Sequence, residues 1–266
     1  MRFIVVPQWQ GSGSSRAMRF AEGAEALRGD LPASATTSVD VPAGAGDALD
    51  TPIHRLSSVL AVRERLASAL DAHAGPALVI GGDRSAASAA LERAGAAGAR
   101  LVWFDGRAAL NPQARDAEHA VLAAVLGRGP RPWAPAAVLD ETHVLAVGVR
   151  ELGPSEEEPF TGIRSFDATA TADDLADALP AGAPVHLHVD LSVLDPSELR
   201  GTTDPLPFGM SAAALTAHIR ALAERHPVIG ADLTGFAPAS DDDVIEDAAT
   251  LLRIVGALSS ASASRP

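Results

Sequence analysis

Four apolar runs in this 266-residue chain lead into aspartates, and two of those aspartates have an arginine close behind them. Ala77-Leu78-Val79-Ile80-Gly81-Gly82 leads to Asp83-Arg84-Ser85. Leu101-Val102-Trp103-Phe104 leads to Asp105-Gly106-Arg107-Ala108-Ala109. Val185-His186-Leu187-His188-Val189 leads to Asp190-Leu191-Ser192-Val193-Leu194-Asp195-Pro196, and Val228-Ile229-Gly230-Ala231 leads to Asp232. Carboxylates converging from several strands can hold a divalent cation when other oxygen or imidazole ligands stand beside them. Arg84 and Arg107 bring the opposite property, a permanent positive charge with no lone pair to give a metal. Guanidiniums can instead pair with carboxylates bidentately, even when partly buried. An aspartate after a strand can also simply cap the next turn, and Asp83 and Asp195 are assigned that role.

His186, His188 and Asp190 alternate, so a strand would turn all three to one side. That pattern fits either a separate metal site or histidines hydrogen-bonded inside a covered strand; the second is favoured. Gly11-Ser12-Gly13-Ser14-Ser15 resembles a phosphate-cradling turn. It lacks the third glycine of a dinucleotide fingerprint, and the chain has no lysine for a P-loop, so it reads as a flexible turn at a pocket mouth. Ser85 has no GxSxG elbow and is not read as a nucleophile. His54, His73, His143, His218 and His226 read as scattered surface or packing residues.

These side chains need a scaffold. Eight short apolar runs (3–6, 38–41, 77–80, 101–104, 144–149, 163–166, 185–189 and 228–231) are nearly continuous rather than alternating, the mark of parallel strands covered on both faces. The stretches 55–72, 211–225 and 240–257 predict helices, the second starting at a Ser N-cap and the third at three acidic residues. Segments 130–135 and 154–159 predict loops, and 259–266 a frayed tail. The fold expected is a three-layer α/β/α sandwich, one domain over 1–266, with a mainly parallel sheet of about eight strands. Its ligand crevice lies at the carboxyl ends of the strands.

A formal net charge of -13 argues against nucleic acid and anionic membranes, both polyanions. The absence of cysteine excludes disulfides and thiolate sites. No apolar run reaches membrane-spanning length, and Met1 to Pro7 is too brief for a secretory leader, so the cytoplasm is expected.

The aspartate segments, in order, resemble the metal-binding motifs of the ureohydrolases, the arginase, agmatinase and formiminoglutamase family. The family writes GGDHS, DAHxD and DxDxxDP; this chain writes GGDRS, DGRAA and DLSVLDP. The strand through Val144 to Arg150, the loop Gly201-Thr202-Thr203-Asp204-Pro205 and the strand Ile229 to Pro238 resemble further family segments. The likeness runs from roughly residue 77 to 238 in family order. Carried across one residue at a time, the resemblance implies ligand positions at Arg84, Asp105, Arg107, Ala109, Asp190 and Ser192. Only Asp105 and Asp190 keep ligand chemistry. The family's substrate-binding Glu falls on Gly235, and a proton-relaying His lies near His119.

The resemblance implies manganese for the family but not for this chain, for which no metal and no cofactor is expected. Two Asp against two Arg sum to zero, so Arg84 and Arg107 are expected to enter the old metal positions and pair with Asp105 and Asp190. The alternative is that one Arg swings outward to solvent. Asp83, Asp195, Asp232 and Gly235 are placed around the same pocket. The function expected is a small-molecule-binding or assembly protein, inactive on arginine or agmatine, whose ligand is an anion or a guanidino compound. The rivals are a C–N hydrolase using His119 with one metal or none, and a non-catalytic subunit of an active relative. A homo-oligomer, trimer or hexamer, is expected.

Overall fold

The computed structural model describes residues 1–153 and 155–261. Eight parallel strands form one sheet: β1 (Arg2–Val6), β2 (Thr36–Ser38), β3 (Ala77–Gly81), β4 (Arg100–Phe104), β5 (Val144–Val147), β6 (Arg164–Phe166), β7 (Val185–Asp190) and β8 (Val228–Thr234), in the order β2-β1-β3-β8-β7-β4-β5-β6. The helices are α1 (Met18–Gly29), α2 (Leu56–Asp71), α3 (Ser88–Ala96), α4 (Val121–Val125), α5 (Glu157–Phe160), α6 (Ala172–Asp177), α7 (Ala212–Arg225) and α8 (Asp241–Ala261). Among the described residues no helix is long and apolar enough to cross a membrane.

Strand alternation sorts the core into two layers. Phe3, Val5, Leu78, Ile80, Val102 and Phe104 pack on α1, α7 and α8. Ile4, Val6, Val79, Leu101 and Trp103 face the other way, toward α2, α3 and α4. Helix α2 meets that layer with Leu56, Val59, Val62, Leu66 and Leu70, spaced three or four apart. Helix α7 begins where Ser211 Oγ accepts the Ala214 amide at 3.1 Å.

Strands β7 and β8 break the rule on their second face. Val185, Leu187 and Val189 are apolar on one side, while His186, His188 and Asp190 occupy the other, all buried. In register across from them stand Gly230, Asp232 and Thr234. A polar stripe therefore crosses the interior beside Trp103, and it ends at the crevice.

Several expected boundaries moved. The edge strand β2 covers residues 36–38 rather than 38–41, because pairing with β1 sets its register at Phe3↔Thr36. Strand β8 continues three residues past Ala231. Segment 130–135 contains a short 3-10 turn that buries Trp133 completely. In the loop expected over 154–159, Glu157 begins helix α5, and Pro154 lies outside the described residues. The tail is helical through Ala261, since Leu258 and Ala261 pack into the core; residues 262–266 lie outside the described residues. His218 and His226 are buried packing residues.

Candidate functional site

Asp105 follows β4 and Asp190 ends β7, so adjacent strands bring both carboxylates to the same edge. The Arg84 side chain, after β3, comes between them. Its Nε donates to Asp105 Oδ2, its Nη2 to Asp105 Oδ1 at 3.1 Å, and the same Nη2 lies 3.1 Å from Asp190 Oδ1. Its Nη1 donates to the Glu118 carbonyl at 3.2 Å. Ser192 bridges below, with Oγ donating to Asp105 Oδ1 at 2.8 Å and its amide to Asp190 Oδ1 at 3.0 Å. Asp190 Oδ2 accepts the Thr234 hydroxyl at 2.9 Å. Arg84 is 5% exposed and Asp105 fully buried. Burial alone would raise the Asp105 carboxyl, but the Arg84 charge and the hydrogen bonds outweigh it and hold it at about 2. The same carboxylates hold the Arg84 guanidinium firmly protonated against burial.

Arg107 does not join this pair. Arg84 already holds both oxygens of Asp105, and Oδ1 also accepts from Ser192 Oγ and from the Arg107 amide itself at 2.8 Å. The Arg107 backbone is pinned by a bridge to Glu151 and by Trp103 Nε1 on its carbonyl. Its side chain therefore turns to the rim, where Nη2 meets Glu151 at 2.7 Å and Asp204 at 2.5 Å. The outward alternative holds for Arg107, the inward one for Arg84.

Between them lies a cavity of about 290 Å³. Of the residues singled out by sequence, Arg84, Arg107, His119, Asp190, Ser192 and Gly235 line it. Asp105 sits behind Arg84. Ala109 is buried in the wall with a left-handed φ of 52°. Asp83 is wholly buried and ties down the Gly11–Ser15 turn, accepting the Gly11 and Ser85 amides at 2.9 Å each. Asp195 holds its own loop through Ser197 and Gly209. Asp232 was expected at the pocket edge, but the longer β8 places it inside the sheet opposite His188. There its two oxygens meet His188 Nδ1 at 2.5 Å and His186 Nε2 at 2.8 Å. Burial pulls the His188 ring down, but Asp232 and Asp105 outweigh it and push it up to about 9. Trp103 stacks on that ring at 3.8 Å. The HxHxD stripe is thus a hydrogen-bonded charge cluster.

Sequence reading missed Glu118 as a functional group. Its side chain lines the cavity, and burial pushes its carboxyl up to about 8 despite the nearby Arg84 charge. Its Oε1 lies 3.8 Å from His119 Nε2. His119 is pulled down by burial and by the charges of Arg84 and Arg107. The one sequence signal for Glu118 was its place next to His119. Asp116 and Asp204 also line the cavity. Gly235 has φ 94°, and a Cβ there would meet Asp190 Oδ2 at 2.9 Å, so the site is shaped for glycine.

The residues present do not fit a pair of divalent ions. A guanidinium stands between the two remaining carboxylates, and Arg107, Ala109 and Ser192 offer neither imidazole nor carboxylate. Among the described residues no group of three or more His, Asp or Glu is placed to hold an ion.

The family model described as "Arginase family" matches residues 12–258. Over 115 residues the chain is 30% identical to an agmatinase of Chromobacterium violaceum, covering 41% of this chain and 34% of that protein. The chain thus matches about a third of that relative's length. Among solved structures, an Entamoeba histolytica arginase in complex with L-ornithine superposes with TM-score 0.81 at 19% identity, over 97% of this chain and 96% of that one. Arginase from Bacillus cereus gives 0.80 at 22% identity, with 97% of each chain covered. The proclavaminate amidino hydrolase of Streptomyces clavuligerus gives 0.75 at 20% identity, over 98% of this chain and 91% of that one. The structural likeness carries the fold, and the family match carries the membership: the chain belongs to the arginase family.

Proposed function

We propose that this arginase-family chain does not hydrolyse arginine or agmatine, and that its crevice is a metal-independent binding pocket for a small cationic molecule of the guanidino class. The observation that carries this reading is the Arg84 guanidinium lying between Asp105 and Asp190. It supplies by a side chain the positive charge that two converging carboxylates need. An anion, the other ligand class considered from sequence, is disfavoured. The donors of Arg84 go to Asp105, Asp190 and the Glu118 carbonyl, and Arg107 is paired with two acids. Two guanidiniums and four carboxyl groups line the cavity. Asp116 faces it without an arginine partner, which suits an incoming cation.

The test has two parts. Protein incubated with manganese and desalted should carry far less than two ions per chain, and a chelator should leave its melting temperature unchanged. Guanidine and agmatine should bind by calorimetry without urea release. Two tightly held ions per chain, or brisk urea release, would sink the reading. The changes Arg107→His and Ala109→Asp together restore the DxHxD pattern, and Asp tolerates the left-handed backbone at 109. They should raise manganese uptake much less than the same pair with Arg84→His added, because Arg84 still neutralises Asp105.

One observation favours the hydrolase rival. Glu118, protonated up to about pH 8, stands beside His119 in the cavity wall. Ionised, Glu118 could take a proton from a water adding to a guanidino carbon and pass that same proton to the departing amine nitrogen, with the His119 ring beside it orienting the water. Urea release that rises toward pH 8 and is lost in Glu118→Gln would establish this rival. We place the protein in the cytoplasm as a trimer or hexamer; a monomer mass by light scattering at micromolar concentration would count against the assembly.

A further inference from the structure

A second cavity, of about 500 Å³, opens at the opposite edge of the sheet, among the amino ends of β3 and β8 and the helices α2, α3, α7 and α8. Its size is in the range of small-molecule sites. The wall is largely aliphatic, with Leu70, Val79, Ala94 and Ala223 among its residues. Two buried histidines interrupt it, and both are fixed in one orientation. His186 Nε2 faces Asp232, a carboxylate held below its ordinary range by the two histidines despite its burial. A carboxylate only accepts, so this bond selects the tautomer with the proton on Nε2, in which Nδ1 is the acceptor. That Nδ1 lies against Gly230, where an added Cβ would sit 3.0 Å away, and both residues line the cavity. His226 Nε2 faces the Ala176 carbonyl at 3.0 Å, which again puts the proton on Nε2. Its Nδ1 is buried without a hydrogen-bond partner in the protein. A buried acceptor left unpaired is costly, and a ligand donor removes the cost.

We propose that this cavity is a binding site for a compact apolar molecule carrying a hydroxyl or N–H donor, of the phenol or indole type, with His186 and His226 as its polar anchors. A carboxylate ligand does not fit, because both anchors present lone pairs. The cation at the rim, Arg93, is already paired with Asp71 at 2.5 Å. The site lies at the far end of the strands from the crevice, so its fate is independent of the reading proposed for that crevice.

The probe is indole, titrated into the full chain by calorimetry, with N-methylindole as the match that lacks the donor. Indole should saturate one site, and N-methylindole should bind at least about tenfold more weakly. Ala223→Phe places a ring in the cavity and should abolish indole binding. No indole binding up to about 1 mM, equal affinity for the two probes, or unchanged binding in Ala223→Phe would each overturn the proposal. Should that variant fail to fold, the imidazole ring signals of His186 and His226 in the unaltered chain decide the question by NMR. They must move when indole is added; stationary signals overturn the site.

Discussion

Arg84 and Arg107 follow the ends of β3 and β4, which β8 and β7 separate in the sheet; they carry the same charge, yet they live in different dielectric surroundings. Arg84 is sealed against two buried carboxylates. Arg107 is largely covered itself, but its partners Glu151 and Asp204 are 53% and 72% exposed. Counting charges treats the two corners as equal. Energetically they are not, because a buried pair is expensive to break while water largely replaces a rim pair that is lost.

The largest test of this contrast is Asp105→Ala. It strips Arg84 of its main partner inside the protein and should cost about 3–5 kcal/mol in urea or thermal unfolding. A loss under about 1 kcal/mol would mean that water reaches Arg84 and the two corners are alike. Next comes a pH signature confined to the Arg84 side. Unfolded, Glu118 releases its proton near its ordinary value of 4.5; folded, it keeps it to about 8. Across that window the unfolded chain binds fewer protons, so stability must fall as pH rises from 4.5 to 8. Glu118→Gln should remove that slope and make the protein more stable at pH 8 by about 2 kcal/mol. An unchanged slope would assign the pH dependence to other groups. His188, protonated to about 9 when folded, adds a loss in the same direction between 6.5 and 9. The smallest effect is Arg107→Ala, which should cost less than about 1 kcal/mol and fade further in high salt. A cost matching that of Asp105→Ala would erase the distinction.

The parts of the fold legible in the sequence were those that burial writes continuously. Strands β1, β3 and β4 read correctly because both faces are covered, so each is a nearly unbroken apolar run, and β7 was carried by Val185, Leu187 and Val189 on one face. Strand β2 was displaced because an edge strand of Thr36-Thr37-Ser38 has little apolar signal and takes its register from β1. The end of β8 was set short because an aspartate inside a strand is disfavoured. Asp232 is stable there because His186 and His188 meet it from the next strand, a pairing visible only after the sheet is assembled. The inward path of Arg84 was legible from charge balance. The outward path of Arg107 was not, since it depends on Arg84 already holding Asp105 and on Glu151 and Asp204 meeting it at the rim. Glu118 escaped notice because its environment is built by distant chain: its amide donates to Gly11, and Arg84 grips its carbonyl.

Arg150 shapes one wall of the crevice in a way that will affect how its motion is measured. Its guanidinium gathers the carbonyls of Gly148, Ser192, Val193, Leu206 and Pro207. The loop through Leu206 and Pro207 is thus held by its acceptors. Hydrogen–deuterium exchange reports on donors, and two of the loop's residues, Pro205 and Pro207, have no amide hydrogen at all. The amides of Thr203, Asp204 and Leu206 should trade their hydrogens quickly while the backbone stays in place. An exchange map taken alone would label this stretch a mobile flap. Order parameters, which follow the bond vectors themselves, should report it as rigid until Arg150 is replaced.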